Sequence, residues 1–289
     1  MRRVVIMLLA IAAALPGQAA AEGPVEIIAY DRCGIDGTGE FFCTVFLQGS
    51  KFFWAGDGTE PAWSPDGSRI AFVGYTQAGL FVLNLRDWSI TSVHASGVSP
   101  AWSPDGVKIA FSDGGVNGER ELYVMNADGS SVVQLTNNIG FLGQPAWSLD
   151  GRTIAFDCAV VSGNADICAI NADGTGFQRL TFGPTNDSSP AFSPDGFSIV
   201  FVSGGQIAIM NSNGTGVRPV GAGIVGYSPA WSPSGTQIAF VVPTTTGGGG
   251  GACDASQFGC PFPNIFTTAI HVMNLDGSDE QIFAEGGVQ

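Results

Sequence analysis

Histidine is nearly absent from this chain, with only His94 and His271 among 289 residues. That scarcity argues against sites that need several imidazoles to hold a metal. No G-x-S-x-G elbow, no G-x-x-x-x-G-K-[ST] loop and no H-E-x-x-H pair occurs anywhere in the sequence. The nucleophile of an α/β-hydrolase, the phosphate cradle of a P-loop and the ligand pair of a zincin are therefore missing. Positive charge is also scarce, 11 Lys+Arg against 25 Asp+Glu, and charged residues of both signs make up only 12% of the chain. An acidic field repels phosphates, so nucleic acid and anionic lipid surfaces are excluded as partners. Long apolar runs are missing too. The longest, Val4 to Leu15, is too short for a good membrane span.

That run belongs to a leader. Arg2 and Arg3 form a charged n-region, Val4–Leu15 an apolar h-region, and Ala19-Ala20-Ala21 a small-residue cleavage site. Cleavage after Ala21 is predicted, which leaves Glu22 as the N-terminus and residues 22–289 as the mature domain, with no stable membrane insertion. The mature chain then holds 9 Lys+Arg against 25 Asp+Glu, a formal charge of −16. Export places the protein in the periplasm or outside the cell.

What the chain has in abundance is glycine, 42 residues, and a recurring heptapeptide. "PAWSPDG" occurs at Pro61–Gly67 and Pro100–Gly106, and returns as "PAWSLDG" at Pro145–Gly151, "PAFSPDG" at Pro190–Gly196 and "PAWSPSG" at Pro229–Gly235. Successive starts lie 39, 45, 45 and 39 residues apart. Each is followed by an apolar run of the "IAF" type, then by a run such as "LYVMNADGS" (Leu122–Ser130), then by a short closing run such as "VVQLT" (Val132–Thr136). Every unit reads as four short strands, and that period matches a β-propeller blade.

The turn residues support the division. In "SPDG" the proline presets φ, the aspartate accepts from a nearby backbone N–H, and the glycine takes a positive φ without steric cost. Asp66, Gly67, Asp105, Gly106, Asp150, Gly151, Asp195, Gly196 and Gly235 are thereby assigned to structural hairpin turns. Ser234 replaces the aspartate in the last unit, which suits a turn and not a catalytic acid. Trp63, Trp102, Trp147, Phe192 and Trp231 recur at one position, where a large flat side chain fills the space between neighbouring sheets. A stripe of aromatics for ligand binding is the alternative. Asn126, Asp128 and Ser130 echo the start of a calcium loop, but no bidentate glutamate follows, so these are read as turns with no cofactor required. Calcium in an acidic channel remains an option.

Second-type strands number six if "IIAY" (Ile27–Tyr30) is included, and third-type strands number six if "CTVFLQGS" (Cys43–Ser50) and "LFVLNL" (Leu80–Leu85) are included, whereas the "PAW" strand occurs five times. The expected architecture is an all-β, six-bladed propeller of four-stranded blades with one blade short of a strand. The segment near Pro24–Glu26 is a candidate substitute. Six cysteines in an exported chain favour disulfides. Local pairing is preferred: Cys33 with Cys43, Cys158 with Cys168 and Cys253 with Cys260. The first two pairs would each staple the second strand of a blade to its third. The last pair lies in a Gly-rich insertion, Val242–Ala269, which is a candidate contact loop.

"PAWSPDGxxIAF" followed by "LYVMNADGS…QLT" resembles the WD-like Pro-Asp repeat of the TolB-like propeller family, which also occurs in propellers attached to prolyl-oligopeptidase-type hydrolases. The resemblance covers residues 26 to 284 and is specific to a fold rather than a function. Neither the α/β domain that precedes the TolB propeller nor a Ser-His-Asp domain is seen beside it. It implies a stand-alone, monomeric, exported propeller that binds another envelope or extracellular protein through one face, without catalytic residues. A propeller enzyme or a carbohydrate-binding lectin acting at the channel mouth, with a cation held by its carboxylates, is the second expectation.

Overall fold

The computed structural model describes residues 28–35, 41–48, 52–114, 120–139, 143–159, 164–221, 224–244 and 267–285. The leader, Cys253, Cys260 and most of the Val242–Ala269 insertion lie outside the described residues.

Among the described residues twenty-two strands follow one another in chain order, and neighbours in each sheet pair antiparallel. β1 (Ile28–Ile35) and β2 (Phe41–Gln48) form a hairpin whose register sets Cys33 opposite Cys43. β3 (Phe52–Trp63), β4 (Arg69–Gly74), β5 (Leu80–Asn84) and β6 (Ile90–His94) make the first blade. β7 (Val98–Trp102), β8 (Lys108–Gly114), β9 (Arg120–Asn126) and β10 (Val133–Gln134) make the second. The third is β11 (Gly143–Trp147), β12 (Thr153–Cys158), β13 (Asp166–Asn171) and β14 (Gln178–Arg179). The fourth is β15 (Asp187–Phe192), β16 (Ser198–Ser203), β17 (Gln206–Asn211) and β18 (Arg218–Pro219). The fifth is β19 (Tyr227–Trp231), β20 (Gln237–Thr244), β21 (Thr267–Asn274) and β22 (Gln281–Glu285).

Among the described residues there are thus five four-stranded blades, not the expected six, and the cause is structural. β3 is one continuous strand whose residues 52–57 pair with β2 and whose residues 58–63 pair with β4. The N-terminal hairpin is welded into the first blade as a six-stranded sheet, ordered β1 to β6. A blade is built outward from a "PAW" strand, and that strand occurs five times. The first strands β3, β7, β11, β15 and β19 lie each against the next, so they form the inner wall.

Packing between blades explains the "IAF" pattern. On β8, Ile109 and Phe111 face the first blade and meet Ala71, while Ala110 faces the third blade and meets Ile154 and Phe156. Ala155 receives Ile199 and Phe201 in the same way. A small residue on one face makes room for two large ones from the following blade, so both faces of every second strand are buried. Phe111, Phe156, Phe201 and Phe240 are all 0% exposed.

Each inner strand also carries a β-bulge immediately before its Pro-Ala pair. The residue ahead of the proline takes a positive φ in every blade: Glu60 (53°), Ser99 (53°), Gln144 (44°), Ser189 (58°) and Ser228 (49°). Proline disfavours the right-handed region for its predecessor, and the bulge re-aims the strand at the start of the inner wall.

Candidate interaction face

The turn joining each first strand to its second is a closed hydrogen-bond unit. Ser103 Oγ donates to Asp105 Oδ1 at 2.6 Å and the Val107 N–H donates to the same oxygen at 3.0 Å. The Gly106 N–H donates to the Ser103 carbonyl with φ at +70°, a conformation that glycine adopts freely. The first, third and fourth blades repeat this with Asp66, Asp150 and Asp195. In the fifth, Ser234 lies 3.1 Å from Ser232 and the turn survives without a carboxylate. The hydroxyl of Ser64, followed by donors on Ser68 and the charge of Arg69, holds Asp66 at a pKa of about 2. Hydrogen bonds from Ser103 and Ser148 likewise depress Asp105 and Asp150.

The turns between third and fourth strands lie beside these and are tied to them by backbone bonds such as Ala127 N–H to Val107 and Ala172 N–H to Arg152. In the "NADG" segments, Ser130 donates from N and Oγ to Asp128 Oδ1, and Asn126 Nδ2 donates to Ser130 Oγ. Asp173 and Asp276 are capped in the same manner, and their pKa values are lowered by the capping hydroxyls of Thr175 and Ser278. One face of the propeller is therefore studded with ionised turn aspartates.

The recurring aromatics sit between blades. Trp102, Trp147 and Trp231 donate Nε1–H to the carbonyls of Ala62, Ala101 and Ala191, each on the inner strand of the preceding blade, at 3.0 to 3.1 Å. Trp63 is buried at 5% exposure, and its Nε1 has no acceptor among the described residues. Phe192 fills the position in the fourth blade without a donor.

The blade interfaces differ at their rim. Between the first and second blades, the Arg69 guanidinium lies 4.5 Å above the Trp102 ring and donates to the Gly106 carbonyl at 3.0 Å, so that Trp102 is buried. Between the second and third, Lys108 takes the place of Arg69 and Trp147 stays half-buried. There a cleft of about 400 Å³ opens, lined among others by Lys108, Trp147, Asp105, Asp150 and Gly151.

Elsewhere polar groups serve the architecture. Glu60 Oε2 accepts the N–H of Ser99 at 2.6 Å and Asp157 Oδ1 that of Ser189 at 2.8 Å, both bulge positions of the following blade. Glu121, only 3% exposed, accepts from Thr136 Oγ1 and from the Asn138 N–H. His94 Nδ1 contacts Ser96 and lies 3.6 Å from Asp113, whereas His271 Nδ1 lies 2.7 Å from Glu280 on the outer side of the fifth blade. The two imidazoles belong to different blades and share no partner. Among the described residues no three His, Cys, Asp or Glu side chains converge as metal ligands. Cys158 and Cys168 form a disulfide between β12 and β13, with Cα atoms 5.8 Å apart. Cys33 and Cys43 are placed by backbone register alone.

The sequence reading missed the bulge residues and the cleft. Five polar residues ahead of five prolines were a visible signal for the first. The second could be sought only at the position after the turn, where Arg69, Lys108, Thr153, Ser198 and Gln237 differ.

The architecture defines a β-propeller whose blades are each built on a Pro-Asp-type turn. A sequence model of the TolB beta propeller domain matches residues 58–251, more than half of the chain, and the chain belongs to that family. A "Protein TolB homolog" of Chlorobium luteolum is 32% identical over 82 residues, 28% of this chain and 19% of that protein's length. A solved TolB structure from Agrobacterium tumefaciens is similar with a TM-score of 0.66 and 25% identity, covering 81% of this chain and 84% of that one. TolB from Acinetobacter baumannii gives 0.62 at 20% identity, covering 81% and 58%. This chain thus spans about a fifth of the Chlorobium protein and somewhat over half of the Acinetobacter one.

Proposed function

We propose that the protein is an exported, non-enzymatic binding scaffold that engages another envelope or extracellular protein through one face of its propeller. The observation that carries this reading is how the recurring polar residues are used. Each turn aspartate is consumed by its own hairpin, and each interfacial indole except Trp63 by a carbonyl of the preceding blade. Chemistry would need a group set apart from that pattern and aimed at a shared point, and the two imidazoles stand in separate blades. Membership of the TolB propeller family supports a binding role, the leader read at residues 1–21 would place it in the periplasm or outside the cell, and a monomer is the expected state.

Affinity capture from native envelope and culture fluid, with residues 22–289 as bait, tests the reading. A stoichiometric protein partner whose complex survives chelation is the expected result. An empty capture with folded, disulfide-intact bait overturns it, as does a catalytic activity that disappears with a chelator.

A further inference from the structure

We infer that the cleft between the second and third blades is a recognition site for an arginine side chain presented by a protein partner. The inference rests on the scaffold reading above and adds a place and a chemistry to it.

The molecule already holds a guanidinium in the neighbouring copy of this cleft. Arg69 stacks 4.5 Å above Trp102 and donates to the Gly106 carbonyl at 3.0 Å, with the carboxylate of Asp66 acting on it from its own turn. One repeat further on, the corresponding parts are Trp147, Gly151 and Asp105, with Asp150 in the place that Asp105 takes in the first copy. The side chain that would fill the space is missing. Lys108 stands at the position of Arg69 but is exposed, and Trp147 remains half-buried where Trp102 is covered. An ammonium is a compact, strongly hydrated charge without the planar fork that lets a guanidinium stack on an indole while donating sideways. Lys108 therefore leaves the ring face open between the carboxylates of Asp105 and Asp150, the latter also facing Arg152 of its own turn.

The occupant must be flat, cationic and able to donate in its own plane, which describes arginine. A cleft of about 400 Å³ accommodates one such side chain with room for its stem. The surrounding turn aspartates stay ionised, and the mature chain carries a formal −16, so a cationic segment is drawn to this face. The other interfaces lack the set. Phe192 and Thr153 flank the next one, and Ser234 removes a carboxylate from the last.

The test is titration of the 15N-labelled mature protein with N-acetyl-L-arginine amide, followed at the Trp147 indole N–H and the Gly151 amide. A saturable shift at both is expected, with N-acetyl-L-lysine amide at least about fivefold weaker. Lys108→Arg should build a second Arg69-like lid and abolish the response without lowering the urea midpoint. Asp150→Ser, the change that blade five tolerates at Ser234, should weaken binding about two- to fivefold. Equal shifts from both amides overturn the inference, and so does a response that Lys108→Arg leaves intact. A captured partner that binds Lys108→Arg as tightly as the parent protein removes the cleft but not the scaffold. An arginine response with an empty capture removes the scaffold but not the chemistry of the cleft.

Discussion

The indole Nε1–H of Trp102 donates to the carbonyl oxygen of Ala62, 3.0 Å away on the inner strand of the preceding blade. Trp147 and Trp231 repeat the bond with Ala101 and Ala191. Among the described residues adjacent blades share only scattered backbone bonds, such as the Asp187 N–H to the Ala165 carbonyl, so these indole bonds, the Glu60 and Asp157 bonds to the next blade and the Ile/Phe-on-Ala packing set how one blade registers against the next. Trp102→Phe keeps an aromatic ring, as Phe192 does naturally, but strips the donor from a sheltered carbonyl and removes the better platform for Arg69. A loss of about 1–2 kcal/mol is expected, read as a lower urea midpoint at unchanged m. An unchanged midpoint would mean that packing alone sets blade register.

Acid should loosen the turns before it loosens the core. Asp66 titrates near pKa 2 in the folded protein, and Asp105 and Asp150 are lowered by the same serine hydrogen bonds. An unfolded aspartate titrates near about 3.9, so between these values the unfolded chain binds more protons. The stabilisation is therefore present above about pH 4 and lost as pH falls toward about 2. Urea midpoints across that range should decline, and Asp66→Asn should flatten part of the decline. These groups are exposed, so solvent screening makes each contribution small and their sum the observable.

Much of this architecture was legible because each blade repeats its own punctuation. The Ser-Pro-Asp-Gly turns, the "IAF" strands and the recurring aromatic position are local signals, carried within about a dozen consecutive residues of each unit. The blade number was not legible. "FFWAGDGTEPAW" forms one strand, β3, that pairs with β2 over its first half and with β4 over its second, a double use that no local signal marks. At Gly58 the glycine serves close approach: a Cβ there would meet Phe72 Cδ2 and the Val73 carbonyl, both at 2.5 Å. The contacts of Glu60 with Ser99 and Asp157 with Ser189 were hidden for a related reason, because each partner lies more than thirty positions away.

The positive-φ bulges make a prediction of opposite sign for two substitutions at one site. Ser228 sits at φ 49°, where a Cβ crowds the backbone at a cost of about 1–2 kcal/mol. Ser228→Gly removes that crowding and should raise the melting temperature, the gain being offset in part by the greater freedom of glycine in the unfolded chain. Ser228→Val adds a branched Cβ in the same geometry and should lower it by more than glycine raises it. Matching losses from both variants would show that the serine hydroxyl, rather than the backbone, matters at this position.

The disulfide of the third blade offers the largest single effect outside the aromatic core. Cys158 and Cys168 are ten residues apart in sequence and 0% exposed, and their bridge ties the end of β12 to β13 across the hairpin. Closing a loop of that size restricts the unfolded chain by roughly 2–3 kcal/mol. The bridge also lies in the cluster that joins the second blade to the third, with Leu122, Val124, Ile154 and Phe156 around it. Cys158→Ala combined with Cys168→Ala should therefore cost about 3–4 kcal/mol, the excess over loop closure reflecting lost packing at the blade interface. Reduction without substitution separates the two terms, since the thiols keep their volume. If the reduced protein unfolds at the same urea concentration as the oxidised one, the bridge contributes packing only, and the stapling role of the pair is wrong.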